Sequence, residues 1–154
     1  MKSAGILLYR RGARGLEVLL GHPGGPFWRG RDEGAWTIPK GEIGEDEDPF
    51  AAAQREFREE TGFEAPGTAL ALTPLRQPSR KWVYVWAIEG DCDTTQASSN
   101  TFSMEWPPRS GRLQDFPELD RVEWFATDEA AKRILRGQAP FVDELRRLLE
   151  KDSP

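Results

Sequence analysis

The sequence predicts an α/β fold in which a mixed β-sheet is covered by helices. Three observations support this prediction. Strand-like apolar segments occur in both halves of the chain, a long amphipathic helix separates them, and helical segments follow the last strand. The chain has 154 residues, enough for one hydrophobic core, and we expect residues 1–154 to form a single domain.

The N-terminal segment predicts a β-hairpin. Residues 3–9 and 16–21 are short apolar runs, and the polar, glycine-containing segment between them is typical of a turn. Residues 22–30 follow, and their proline and glycine content excludes a regular element while leaving Phe27 and Trp28 on an irregular loop. We interpret this loop as one wall of a ligand site.

A long helix is the clearest element in the sequence. Asp48 suits the N-cap, Pro49 suits the first helical position, and Gly62 is a suitable C-terminal stop. Between them, apolar residues repeat at intervals of three and four, as on one face of an amphipathic helix. Before this helix, residues 36–38 predict one short strand that ends at Pro39.

Strands are predicted again after the helix. Residues 68–76 and 81–88 are expected to pair as a second hairpin, and the latter segment is rich in aromatic and β-branched side chains. Residues 89–119 are polar and include three prolines, which predicts a long loop and a candidate substrate lid. Residues 122–125 form the last predicted strand.

Two helical segments complete the predicted fold. Thr127 or Asp128 is expected to cap a helix over residues 129–136. Pro140 then begins an amphipathic segment that ends at Leu149. These helices can cover a sheet face, which is the arrangement expected of a mixed α/β domain.

Composition and charge restrict the function. The chain carries 21 basic and 26 acidic side chains, a net charge of −5, and lacks the basic stripe of general nucleic-acid binders. The longest apolar run near the N-terminus, residues 6–9, is too short for a membrane span or a signal-peptide core. Cys92 is the only cysteine, which fits a reducing compartment. We therefore expect a cytoplasmic protein without membrane or stable nucleic-acid partners.

Four charged residues on the long helix form the most informative pattern. Helical spacing places Glu56 and Glu60 one turn apart on one face, with Glu59 beside them. Arg55 lies one turn from Glu59. Neighbouring carboxylates raise one another's pKa, so such a cluster requires a compensating cation. Oxygen ligands without a nearby cysteine favour Mg²⁺ or Mn²⁺, and Mg²⁺ commonly binds substrate phosphates as well.

The segment from Gly41 to Phe63 resembles the signature of the Nudix hydrolase family. Gly41 is followed after five residues by Glu47, and after seven more by Arg55-Glu56-Phe57-Arg58-Glu59-Glu60-Thr61-Gly62-Phe63. This pattern would arise by chance in about one in 10⁶ chains of this length. The resemblance implies the family's α/β/α sandwich. It also implies metal-dependent hydrolysis of a diphosphate bond in a nucleoside diphosphate linked to another group.

The resemblance further implies roles for individual residues. Glu59 and Glu60 would bind the metal, and Glu56 would be a further ligand or the base that takes a proton from water. Arg55 would orient the glutamates. The remaining contributors would be Glu47, as a supporting ligand or helix-start carboxylate, and the carbonyl oxygen of Lys40 or Gly41.

Many members of the family add one more carboxylate from a loop outside this signature. Glu118 is the preferred candidate, because it lies six residues before Trp124 and just ahead of the last predicted strand. Glu105 is the alternative.

The sequence says less about the substrate. Residues 36–41, Trp-Thr-Ile-Pro-Lys-Gly, are similar to the segment before the signature in family members that hydrolyse dinucleoside polyphosphates, and Lys40 is a candidate phosphate contact. Trp28, with Phe27, is a candidate for stacking on a base. Further positive charge near the presumed cleft comes from Arg80, Lys81, Arg109 and Arg112.

The leading hypothesis is a metal-dependent (di)nucleoside polyphosphate pyrophosphohydrolase. The alternative is an ADP-ribose or nucleotide-sugar pyrophosphatase, since Pro78 lies near the position where ADP-ribose-cleaving members often carry a proline. Tyr84 lies somewhat later in the sequence than the tyrosine of many diadenosine-polyphosphate enzymes. His22 is a candidate general base, although a single histidine at the end of a strand is more often a polar loop residue. A non-catalytic nucleotide-binding domain is the third hypothesis, and a homodimer through the sheet is left open.

Overall fold

The computed structural model describes residues 1–151. Within that range the chain forms nine strands, three α-helices and two short 3₁₀ turns, at Thr94–Gln96 and Arg136–Gln138. The strands are β1 (Lys2–Gly12), β2 (Gly15–Pro23), β3 (Lys40–Glu42), β4 (Ala69–Ala71), β5 (Leu75–Arg76), β6 (Trp82–Glu89), β7 (Thr101–Glu105), β8 (Leu113–Pro117) and β9 (Leu119–Ala126). The helices are α1 (Pro49–Thr61), α2 (Thr127–Arg133) and α3 (Ala139–Lys151).

Seven of these strands form one mixed sheet, as the sequence predicts. The main order is β4-β6-β1-β2-β9, with β3 paired to β1 and β5 paired to β6. Strands β1 and β6 run parallel, and the other pairs are antiparallel. Strands β7 and β8 form a separate antiparallel hairpin.

The sheet has a buried face on each side, because side chains alternate along β1. Ile6 and Leu8 belong to an apolar cluster that includes Phe57 of α1. Leu7 and Tyr9 belong to a second cluster formed with α2 and α3. The result is the expected α/β/α layering, with α1 alone on one face of the sheet.

The predicted helix α1 is confirmed with both of its ends. The Asp48 side chain accepts a hydrogen bond from the backbone N–H of Ala51 at 3.0 Å, and Pro49 opens the helix. Gly62 ends it in the left-handed conformation, with φ 82°. The predicted hairpins β1–β2 and β4/β5–β6 are also present, with β1 and β2 longer than expected.

The short strand expected at residues 36–38 does not form, because its backbone bonds to several partners. The Thr37 and Gly21 backbones bond to each other, whereas the Trp36 N–H donates to the Arg133 carbonyl and the Ile38 N–H to the Gln138 side chain. Residues 68–76 form two short strands instead of one. Between those strands the Thr73 backbone N–H donates to a carboxylate oxygen of α3 instead of a neighbouring strand.

The prediction of a long loop over residues 89–119 is wrong in part, since this segment contains the β7–β8 hairpin. Helix α2 also differs from the prediction. It begins at Thr127 without a side-chain cap and ends at Arg133 rather than residue 136. Among the described residues, no helix is both long enough and apolar enough to cross a membrane.

Candidate active site

A cavity of about 330 Å³ opens where α1, β3 and the base of the β7–β8 hairpin meet. Five glutamates, one lysine, one glycine and one asparagine line it. They are Lys40, Gly41, Glu42, Glu56, Glu59, Glu60, Asn100 and Glu118. The cavity thus unites both halves of the sequence signature with residues more than 35 positions farther along the chain.

Helix α1 supplies the three carboxylates at the centre. Its apolar side chains Ala52, Ala53 and Phe57 are fully buried against the sheet, which fixes the rotation of the helix. That rotation brings Glu56 and Glu60 to the cavity, one turn apart, with Glu59 at its edge. The predicted gathering of these carboxylates is therefore found in the structure.

Glu60 is the most unusual of these residues. It is only 7% exposed, and its Oε2 atom is buried without a hydrogen-bond partner. Burial, followed by the charges of Glu56 and Glu118, raises the pKa of Glu60 to about 8. Lys40 opposes this shift only in part. A buried carboxylate oxygen without a partner is a position at which a cation is stabilising.

Glu56 lies against the backbone of β3, and a glycine makes this possible. A Cβ atom at Gly41 would overlap the Glu56 carboxylate, so no larger residue fits there without displacing it. Burial raises the pKa of Glu56, and the hydrogen bond and charge of Arg55 oppose that rise. Gly41 therefore contributes space as well as a backbone carbonyl.

Arg55 holds the glutamates in place. Its Nη1 donates to Glu56 Oε1 at 2.9 Å and to Glu59 Oε2 at 3.1 Å. Its Nε and Nη2 donate to the two oxygens of Glu47 at 2.8 and 3.0 Å, and Nη2 also donates to the Glu42 carbonyl. The hydrogen bonds from Arg55, followed by the one from the Gly44 backbone, lower the pKa of Glu47 to about 2.

Glu47 therefore lies behind Arg55 and does not line the cavity. Both of its oxygens accept hydrogen bonds, from Arg55 and from the Gly44 N–H at 2.8 Å. In this position it orients Arg55, whereas the sequence predicted either a supporting metal ligand or a carboxylate at the helix start.

Glu118 reaches the cavity through backbone contacts at the base of the hairpin. The Asn100 N–H donates to the Glu59 carbonyl at 2.8 Å, and the Glu118 N–H donates to the Asn100 carbonyl at 2.9 Å. Glu105 lies elsewhere on the hairpin, where its carboxylate accepts a hydrogen bond from the Arg109 backbone. The structure thus brings the preferred candidate to the site and not the alternative. The sequence alone gave no indication of Asn100.

Only some of the other residues that were predicted to bind substrate lie at the cavity. Lys40 lines the cavity, and burial lowers its pKa. Lys81 lies at the rim, with its Nζ 3.8 Å from Glu42 Oε1. Trp28 and Arg80 do not line the cavity; Trp28 is half-buried on its loop, and Arg80 is exposed in a turn with φ 70°.

His22 is not a polar loop residue. It is 1% exposed at the end of β2, and its Nδ1 lies 3.0 Å from an Asp120 carboxylate oxygen. Its Nε2 lies 2.7 Å from the Arg31 carbonyl oxygen. These contacts tie the loop after β2 to the start of β9, and His22 does not line the cavity.

The donor set fits a hard divalent cation. The lining carries five carboxylates against one ammonium group, and it includes an unpartnered buried oxygen of Glu60. In residues 1–151 no three acidic, histidine or cysteine side chains already stand in a metal-binding arrangement. Arg55 bonds to one carboxylate oxygen of Glu56 and one of Glu59, so the second oxygen of each side chain is not held by Arg55.

The family model described as "NUDIX domain" matches residues 1–145 of the chain. No curated protein matches it. Solved structures that resemble it include an Ap4A hydrolase from C. elegans in a binary complex, with a TM-score of 0.69, 21% identity, and coverage of 97% of this chain and 98% of that one.

Two further structures resemble the chain over most of its length. One is the NUDIX domain of NrtR from Shewanella oneidensis in complex with ADP ribose, with a TM-score of 0.69, 16% identity and coverage of 97% and 88%. The other is a NUDIX hydrolase from Listeria monocytogenes, with a TM-score of 0.64, 14% identity and coverage of 99% and 96%. At these identities the likenesses show the fold.

Proposed function

Because the chain belongs to the NUDIX domain family and is a pyrophosphohydrolase, we propose that it hydrolyses (di)nucleoside polyphosphates in the cavity between α1, β3 and the β7–β8 hairpin. The observation that carries the proposal is the carboxylate pair of half-buried Glu56 and buried Glu60, with Lys40 beside it and one Glu60 oxygen without a partner. Such a site repels phosphate unless a cation is bound, and it attracts phosphate once one is present.

We further propose Mg²⁺ or Mn²⁺ as the cation. Glu59 and Glu60 would hold it, with the backbone carbonyl of Gly41 as a further oxygen donor. When bound, a divalent cation neutralises phosphate oxygens and makes a coordinated water more acidic. Asn100 and Glu118, which flank the β7–β8 hairpin, line the same cavity.

Other residues of the chain would transfer the proton and contact the phosphate. Arg55 fixes Glu56 Oε1, which leaves Oε2 of the same carboxylate to accept the proton of the attacking water. The raised pKa of Glu56 suits a group that must take a proton. Glu118 is a second candidate base, on the far wall of the cavity. Lys40 provides the positive charge that would contact a non-bridging phosphate oxygen.

A polyphosphate is favoured over a substrate with two phosphates by the positive groups around the cavity. Lys40 lies inside the cavity and Lys81 lies at its rim, whereas Arg109 and Arg112 lie farther out, on the segment that joins β7 to β8. Pro78, the residue that favoured ADP-ribose, is not among the residues that line the cavity.

The experiment is a product analysis with purified protein and Mg²⁺. The panel consists of diadenosine polyphosphates, nucleoside triphosphates, ADP-ribose and a nucleotide sugar, with products separated by ion exchange. We expect the longer polyphosphates to have the highest kcat/KM. A preference for ADP-ribose or the nucleotide sugar would refute the substrate assignment, and no turnover of any compound would indicate a binding domain.

Glu118 and Glu105 provide a matched pair for the site assignment. Glu118→Gln should lower kcat by about 10²-fold, as expected for loss of a positioned acid–base or charge-stabilising group. Glu105→Gln lies on the same hairpin outside the cavity and should retain nearly wild-type kcat. The reverse order would place the additional carboxylate at residue 105.

A further inference from the structure

The loop after β2 and the β7–β8 hairpin share an anchor at the cavity rim. The Gly24 N–H donates to the Glu118 carbonyl at 3.0 Å, next to the Asn100–Glu118 hydrogen bond that closes the base of the hairpin. The backbone at Gly24 lies so close to the Pro117 carbonyl that no Cβ atom fits between them. The two segments therefore rise together from the edge of the site.

The facing surfaces of these two segments are aromatic. On the hairpin, Phe102 pairs across the strands with Phe116, and a Cβ atom at Gly25 of the loop would lie 3.0 Å from the Phe102 ring. Farther out, the rings of Phe27 and Trp106 meet edge to face, with centroids 5.8 Å apart. We call Phe27 and Trp106 the aromatic wall.

The aromatic wall is not an ordinary part of the core. Phe27 remains 63% exposed, one of few large apolar side chains with such exposure in the described residues. An aromatic ring that packs against a tryptophan and remains largely open to solvent can stack against another flat ring. Its neighbour Trp28 has the Arg31 guanidinium 5.8 Å from its ring centre.

Positive charge accompanies these rings. Arg29 and Arg31 lie on the loop, and Arg109 and Arg112 lie on the segment joining β7 to β8. Within residues 1–151, none of these four guanidinium groups forms an ion pair, unlike Arg10, Arg14 and Arg55. Arginine beside aromatic rings is the combination that contacts nucleotide bases and phosphates.

The position of the aromatic wall indicates which part of a nucleotide it contacts. Three residues of chain span at most about 10 Å, so Phe27 begins close to the rim at Gly24. Strand β7 extends ~17 Å outward from Asn100 toward Trp106. A ligand cleaved at Glu56 and Glu60 must therefore extend well beyond the cleaved bond to cover this surface. A dinucleoside polyphosphate has that form, with a base at each end.

We propose that the aromatic wall formed by Phe27 and Trp106 binds the second nucleobase of a dinucleoside polyphosphate, the one farther from the bond cleaved. The four arginines add positive charge around the aromatic wall, which favours a ligand that carries several phosphates. This inference rests on the proposed function and specifies its substrate: the enzyme distinguishes a polyphosphate with two nucleosides from one with a single nucleoside.

The test compares diadenosine tetraphosphate with adenosine tetraphosphate, which has the same number of phosphates and one nucleoside fewer. For Phe27→Ala and Trp106→Ala, we expect KM for the dinucleotide to rise about tenfold, the effect typical of a lost base stack. We expect kcat for the dinucleotide and both constants for adenosine tetraphosphate to stay within twofold. Phe27→Tyr retains a ring and should restore the dinucleotide KM.

Leu113→Ala is the matched control, because Leu113 is also a strongly exposed apolar residue, at 77% exposure, and lies on the β7–β8 hairpin outside the aromatic wall. It should leave both substrates unchanged. Equal losses for the two substrates in Phe27→Ala would overturn the proposal, since the wall would then serve the nucleoside next to the cleaved bond. No loss for either substrate would also overturn it.

A binding measurement separates this inference from the proposed function. In the Glu56→Gln background with Mg²⁺, calorimetry of uncleaved diadenosine tetraphosphate should give a Kd about tenfold higher once Phe27→Ala is added. This readout holds even if the enzyme's preferred substrate in the product panel proves different. An unchanged Kd on addition of Phe27→Ala would refute binding of a nucleobase by the aromatic wall.

Discussion

Replacing Glu60 by glutamine should stabilise the metal-free protein while removing its response to metal. Glu60 is almost fully buried, with one oxygen unpartnered, so its negative charge is unfavourable when no cation is present. Glutamine keeps the shape of the side chain and removes the charge. The variant should therefore have a higher Tm than the wild type in EDTA.

The magnitude follows from the pKa of Glu60. Its ordinary value is 4.5 and the folded protein raises it to about 8, so at pH 7 the unfolded chain releases a proton that the folded chain retains. Over the 2.5 pH units between the ordinary pKa of 4.5 and pH 7, at ~1.4 kcal/mol for each unit, this proton retention lowers the free energy of unfolding by about 3 kcal/mol. The glutamine amide would itself be incompletely hydrogen-bonded, which reduces the gain in the free energy of unfolding by about 1 kcal/mol.

The remaining gain of about 2 kcal/mol corresponds to a Tm increase of about 4–8 °C for a chain of this size. The raised pKa of Glu60 also fixes the direction in which this gain depends on pH. An acid whose pKa is raised on folding contributes stability below its unfolded pKa, and this contribution is lost as pH rises through the folded pKa. The advantage of Glu60→Gln should therefore be largest near pH 8 and almost absent at pH 4.5.

The assay is thermal unfolding in EDTA and in Mg²⁺ at pH 4.5 and pH 7. Glu59→Gln is the control, since the Glu59 side chain is 39% exposed and lies one position away. Its metal-free Tm should change little. Added Mg²⁺ should raise the Tm of the wild type much more than that of Glu60→Gln. A lower metal-free Tm for Glu60→Gln at pH 7, or a gain independent of pH, would refute the reasoning.

Two further variants test other parts of the structure. Gly41→Ala should lower kcat at least about tenfold, because the added methyl group displaces the Glu56 carboxylate, and circular dichroism should show an intact fold. Glu17→Gln should lower the free energy of unfolding at pH 7 by about 1 kcal/mol, since this buried carboxylate accepts hydrogen bonds from Arg10 and Arg14, whose side chains are partly exposed to solvent. The hydrogen bond from Arg10 lowers the pKa of Glu17, so its contribution is present above pH 4.5 and is lost on acidification. Urea unfolding at pH 7 and pH 3 should show a smaller deficit for the variant at pH 3, and an equal deficit would contradict this account.

Local rules were sufficient for the centre of the site. The cap at Asp48, the stop at Gly62 and the apolar spacing define α1, and helical geometry then places Glu56 and Glu60 together. All of these determinants lie within one helix. For that reason the carboxylate cluster could be predicted without knowledge of the tertiary fold.

The far wall of the cavity could not be predicted in this way. Glu118 reaches it through a backbone bond to Asn100, which in turn bonds to the end of α1, and no local pattern encodes either contact. The β7–β8 hairpin was not predicted, because its sequence is largely polar. Its alternating Phe102 and Met104 were a weak signal of a strand, but the surrounding prolines favoured a loop.

The two faces of the sheet explain how the chain tolerates such a site. The features that cost stability, above all Glu60 and the crowded carboxylates, lie on the α1 face. The opposite face packs Phe141, Val142 and Leu145 of α3 in a fully buried apolar cluster. Because β1 contributes side chains to both clusters, the α3 face stabilises the same sheet that supports the site. Substitutions among the carboxylates should therefore alter metal binding and catalysis while the fold persists, as expected when functional residues are not the most stable choice.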